Sequence, residues 1–191
     1  MAGWLTPGFP QLSIFTGSEQ FNLDTELSSG ANPQSAMSTT VQLAAAFKWL
    51  NATADKTTVA GTRYYSSITL GTNVTLTGIQ VLVGGTGGTD SWIAELFNAA
   101  GALVATSTTS GTTAGTANIW QRLAFTSPYD APAGDYFISI QSNGTSAKPA
   151  VYSSPGLPIF TGSAAGTFAL AASITPPTTY TASTGPMASV Y

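Results

Sequence analysis

Residues 73–83 read Asn-Val-Thr-Leu-Thr-Gly-Ile-Gln-Val-Leu-Val, and the placing of their apolar side chains decides the fold. Val74 and Leu76 alternate with polar neighbours; Ile79, Val81 and Val83 then alternate in the opposite phase. Alternation with period two marks a strand that buries one face. The phase change would turn the second half outward unless an extra residue is inserted. A β-bulge is therefore expected at Thr77-Gly78.

The same texture extends in both directions. In DYFISIQ (135–141), Tyr136, Ile138 and Ile140 share one face while Phe137, Ser139 and Gln141 share the other. In NIWQRLAF (118–125), Ile119, Leu123 and Phe125 are expected on the core side, opposite Trp120 and Arg122. Beyond residue 58, short β-branched and aromatic runs are cut by Gly, Asn, Asp and Pro at intervals of about ten residues. The pattern predicts strands near 62–70, 73–83, 91–98, 102–107, 118–126, 135–142, 149–153 and 167–174. Turn chemistry fits at Gly71-Thr72, at Asn98-Ala-Ala-Gly101 and in the glycine-rich loop Gly84–Thr89. Successive strands without an intervening helix predict an all-β sandwich over 58–175.

The ends differ. Residues 1–57 read as an extended arm, with Trp4, Phe9, Phe15 and Phe21 spaced without a period and unable to bury themselves on the arm alone. Within it, Leu43, Phe47 and Leu50 follow at i, i+4 and i+7 behind Ser38 or Thr39 as N-cap, predicting one short helix to about Asn51. Residues 176–191 read as a second, irregular extended tail that forms no strand. The pentapeptide IFTGS occurs at 14–18 and again at 159–163, but the flanks diverge, so no domain duplication is inferred. The second copy is expected to be a turn leading into a late strand.

Composition narrows the function. Only 7% of residues are charged, against about 25% in an average globular domain. With a net charge of −3 and five scattered basic residues, no stripe is available for phosphates, and nucleic acid is not an expected partner. No apolar run reaches the roughly 20 residues of a membrane span, and the opening MAGWLTPGFPQLS lacks the regions of a signal peptide. Synthesis in a cytoplasm and no membrane partner are expected. Cysteine and histidine are absent, which removes disulfides, thiolate or imidazole metal sites and every histidine-based triad.

Carboxylates remain. A glycosidase-like pair such as Glu95 with Asp130 would require the two to face each other across a cleft. Asp90, Asp130 and Asp135 are better read as turn residues bonding locally. No run of ligands for calcium is present, and Gly84–Thr89 lacks the Lys-Ser/Thr and helix of a phosphate cradle. No enzyme activity, cofactor or metal is expected. Tyr64, Tyr65, Trp92, Trp120, Tyr129 and Tyr152 would serve as a sugar platform only if exposed, and in a sandwich such rings are more often core. Asn51, Asn73 and Asn143 match the glycosylation pattern, which matters only in a eukaryotic secretory setting.

The segment Phe15–Ala45, with its TG-E start, Leu-Asp-Thr step, Gly before PQS, and QLA, resembles N-terminal segments of tailed-bacteriophage virion proteins. WIAELFNAAGALVATS, IWQRLAF and PYDAPAGDYFISI resemble, in that order, jelly-roll-like sandwich modules of phage and bacterial surface proteins. The resemblance implies a virion structural protein on the capsid surface. A decoration (cement) protein would bind the major capsid protein and its own copies as a homotrimer. A head fibre or tail adhesin binding host carbohydrate is the alternative. Trp4, Phe9, Phe15, Phe21 and Tyr191 are the expected partner contacts.

Overall fold

The computed structural model describes residues 53–153 and 159–191; the helix expected over 38–51 and the aromatics Trp4, Phe9, Phe15 and Phe21 lie outside the described residues. Eleven strands follow in chain order: β1 (Thr53–Asp55), β2 (Arg63–Leu70), β3 (Val74–Leu82), β4 (Gly88–Asn98), β5 (Leu103–Thr106), β6 (Thr112–Gly115), β7 (Trp120–Ala131), β8 (Gly134–Ser142), β9 (Ala150–Tyr152), β10 (Thr161–Ala164) and β11 (Ala188–Val190). No helix occurs among the described residues.

The bulge lies where the phase change predicts it. β3 pairs antiparallel with β7, and the register shifts between Leu76 and Gly78. Val74, Leu76, Ile79 and Val81 consequently all reach one core. Glycine is required at 78 by a close approach, since a Cβ there would lie 2.4 Å from Tyr191 Oη and 2.7 Å from the Leu123 carbonyl oxygen.

Two sheets carry the fold. The larger has the order β10-β2-β8-β4-β5, with β6 also on β4; the smaller is β11-β3-β7; β1 and β9 form a separate pair. Trp92, Leu96, Ile138 and Ile140 of the larger sheet meet Leu76, Ile79, Leu123 and Phe125 of the smaller in a single cluster. Each such burial removes apolar area worth about 1.5–3 kcal/mol. The described residues form an all-β sandwich.

Turn chemistry behaves as expected at Asn98–Gly101, where Gly101 takes φ +83°. Its N–H donates to the Asn98 carbonyl at 2.8 Å, while Asn98 Oδ1 accepts from Ala100 N and Ala102 N.

Several expectations are corrected. The run 167–174 is not a strand. It crosses the outer face of the larger sheet as an irregular strap, with Leu103 N donating to Ala172 O, Ile174 N donating to Gly101 O and a lone bridge between Ala102 and Ser173. The edge position on β2 belongs instead to β10, whose first three residues are the Thr-Gly-Ser of the second IFTGS, a strand rather than a turn. The tail does form a strand: β11 pairs Ala188 with Val81 and Val190 with Ile79, and both residues are buried. Ile119 is 47% exposed, because Asn118 in a left-handed conformation (φ 59°) breaks the alternation just before β7. Trp120 turns inward against Leu82 and Met187.

Candidate functional site

The larger sheet has two unlike faces. Alternation along β4 sends Trp92, Ala94 and Leu96 inward and Ile93, Glu95 and Phe97 outward. Register then assembles the outer patch, because Glu95 lies opposite Ser139, Tyr65 opposite the same serine, and Arg63 opposite Gln141. Every one of these side chains is buried beneath the strap.

Glu95 is the hub. Its Oε2 accepts from Arg63 Nε at 3.2 Å, Ser139 Oγ at 3.2 Å and Gln141 Nε2 at 2.9 Å, and its Oε1 accepts from Ala171 N at 2.9 Å. Arg63 Nη2 and Gln141 Nε2 both donate to the Ala169 carbonyl. A fully buried carboxylate is thus paired, and every contact it makes also locks the strap or the sheet. Such burial is costly unless the charge is matched and the remaining lone pairs are satisfied, as they are here.

Beside this hub lies a groove of about 560 Å³, lined by Arg63 and Tyr65 of β2, by β10, and by residues 171–179. Tyr65 meets Phe97 edge to face, with centroids 6.5 Å apart. Its phenol is pushed up to about 12, chiefly by burial, with Arg63 opposing the rise and Glu95 adding to it. A second, smaller depression of about 290 Å³ sits at the end of β3 and β7, where Thr75 Oγ1 donates to Asp130 Oδ1 at 2.6 Å.

The sequence candidates scatter. Glu95 faces away from the smaller sheet, which carries Asp130, so the two make no catalytic pair. Asp90 and Asp135 are bonded, but over long separations rather than within their own turns. Asp90 Oδ2 accepts from Ser146 N and Ala147 N, and Asp135 Oδ1 accepts from Thr69 Oγ1. Among the described residues no three acidic side chains gather as metal ligands. Tyr64, Tyr65, Trp92 and Tyr152 are buried and Trp120 and Tyr129 half-buried, so these rings form no open sugar platform. Tyr191 sits half-buried over the bulge: its N–H donates to Gly78 O, its carbonyl oxygen accepts from Thr77 N, and the Arg122 guanidinium lies 4.7 Å from its ring centroid.

The Arg63–Glu95 pair was missed from sequence. Its signal was a lone carboxylate inside the apolar run WIAELF, which calls for a buried partner but does not say which of the scattered cations supplies it. No protein-family model, curated protein or solved structure matches the chain.

Proposed function

We propose that the chain is a non-catalytic structural protein of a tailed-bacteriophage virion. In this reading it is a capsid decoration protein with a jelly-roll-like sandwich that binds the major capsid protein and further copies of itself, as a homotrimer. The resemblance of Phe15–Ala45 and of the sandwich strands to phage structural proteins supports this reading. One structural observation favours it over the platform type of adhesin: Tyr64, Trp92 and Tyr152, the rings a sugar platform would use, are internal. What the sandwich presents instead is a charge-poor surface of small polar side chains, suited to packing between neighbours, where charge is depleted. Shell stabilisation would then come from buried area, with Trp4, Phe9, Phe15 and Phe21 as aromatic anchors of the arm.

The test is to assemble particles lacking this protein and to measure shell survival under heat and osmotic shock together with adsorption to host cells. Fragile shells with normal adsorption are expected. Intact shells with lost adsorption would sink the decoration reading and favour the adhesin.

A further inference from the structure

Asn143 follows β8 as the first residue of the loop that leads to β9, exposed to solvent and followed by Gly144. Of the chain's seven asparagines it is the one that precedes a glycine; Asn73, Asn98 and Asn118 precede Val74, Ala99 and Ile119. The fold imposes that glycine. Asp90 closes the loop, its Oδ2 accepting from Ser146 N at 2.6 Å and from Ala147 N at 2.8 Å, and a Cβ on residue 144 would run into its carboxylate. Any larger residue there would push Asp90 off the two N–H groups it holds.

The hydrogen bonds around Asn143 bear on its reactivity. Its Oδ1 accepts from Ser91 N at 2.8 Å, whereas among the described residues its amide nitrogen has no hydrogen-bond partner. The bonded atom is the oxygen on which negative charge gathers when the amide carbon is attacked, so a donor already sits where that charge develops. The nitrogen that must leave faces water. The nearest nucleophile is Gly144 N, with no side chain on its own residue to obstruct it; its N–H is held only by Ser142 Oγ, at 3.2 Å.

We propose that Asn143-Gly144 is a self-modification site, at which the chain deamidates through a cyclic imide. Gly144 N bonds to Asn143 Cγ, the Cγ–Nδ2 bond breaks, and ammonia leaves with the proton lost from Gly144 N. Water then opens the imide at one of its two carbonyls and leaves aspartate or, with the main chain rerouted through Cγ, isoaspartate. Both reacting groups belong to adjacent residues, so the first step is intramolecular and needs no partner. The product carries one more negative charge beside Asp90, on a chain with five basic and eight acidic residues. Isoaspartate also lengthens the main chain next to Gly144, whose carbonyl accepts from the buried Thr58 Oγ1 at 2.7 Å. That bond ties the β1–β2 connection to the loop. The modification is therefore a timer on the anchorage of β1, the strand through which residues 1–52 join the sandwich, and it stands or falls separately from the decoration reading.

The test incubates the full chain at neutral and mildly alkaline pH, separates charge forms by isoelectric focusing, and maps them by mass spectrometry with isoaspartyl methyltransferase labelling. An acidic form modified at Asn143 is expected, arising at least about tenfold faster than modification of any other asparagine, a difference of about 1.4 kcal/mol in barrier. Asn143→Ser keeps an oxygen for Ser91 N but cannot form the imide, and should yield no acidic form. In the isolated isoaspartate form, hydrogen exchange over 53–62 should be faster than in fresh protein. Four outcomes each overturn the proposal: Asn143 intact in the folded chain while the same chain in urea is converted, another asparagine converting as fast, an acidic form persisting in Asn143→Ser, or exchange over 53–62 unchanged by the modification.

Discussion

The two faces of the larger sheet are built on different physics. Facing the smaller sheet, Trp92, Leu96, Ile138 and Ile140 interlock with side chains of β3 and β7 and are wholly apolar at the contact, apart from a Trp92 Nε1 that has no partner among the described residues. On the other face the same strands present Arg63, Glu95, Ser139 and Gln141, and the cover is a strap of small residues whose Ala169, Leu170, Ala172 and Ser173 are exposed. One face is held by apolar area alone; the other adds the Glu95 network to an apolar cluster of Tyr65, Phe97 and Phe137 with Leu103, Ala171 and Ile174 packed against it. An apolar contact tolerates small displacements, whereas the carboxylate hub is favourable only while all its donors are in place. The strap over the outer face is therefore expected to open at lower cost than the inner face, which should yield only with global unfolding.

That contrast is breakable by mutation. Trp92→Ala should cost about 3–5 kcal/mol, read as a lower urea midpoint for the whole domain. Glu95→Gln should cost about 3 kcal/mol, because Arg63 would be left buried beside a neutral amide. Hydrogen exchange should accelerate chiefly over 166–174; equal acceleration throughout β4 and β8 would show that the two faces are not separable. Gly78→Ala forces a Cβ against Tyr191 and Leu123 and should cost about 1–3 kcal/mol. Its NMR signature is loss of the β11–β3 contacts with the strap unaffected.

Alkaline pH probes both faces at once. The phenols of Tyr65 on the outer face and Tyr136 on the inner are each pushed up to about 12, mainly by burial. A raised pKa means that the unfolded chain gives up these protons first. Stability is thus full below pH 10 and declines between pH 10 and about 12. A residue-resolved NMR titration should show the Tyr65 and Tyr136 phenolates appearing together with unfolding; ionisation of either near pH 10 in a folded protein would contradict their burial. The smallest effect is expected at exposed Ile119, where Ile119→Ser should change stability by less than about 0.5 kcal/mol in the same urea titration.

The long strands were legible because they repeat one signal over several residues. β8 and both halves of β3 show their faces in sequence, and the bulge follows from reconciling Leu76 with Ile79. β1, β6, β10 and β11 have three or four residues each, mostly Thr, Ser, Gly and Ala, so they carry no apolar alternation to read, unlike the equally short β5 and β9. Ala188 and Val190 are recognisable as core only once β3 is known to have a free edge. The groove was illegible for a related reason: Arg63, Tyr65 and the 171–179 segment are joined by strand register and the path of the strap, neither of which leaves a local pattern. Glu95 was visible as a residue, but sequence left open whether it could face Asp130, since its burial depends on β8 and on a strap from elsewhere in the chain.

The edge pairings also set a schedule for synthesis. Gln80 of β3 bonds Ser189 of β11 across 109 residues, and Ser67 of β2 accepts from Phe160 N, just ahead of β10, across 93. At about 5–20 residues per second, each edge waits roughly 5–20 seconds for the strand that covers it. During that interval two open edges face the cell on a chain with only 7% charged residues to repel a wrong partner. Escape from mispairing in the nascent state is thus a demand that this topology places on whatever cell makes the protein.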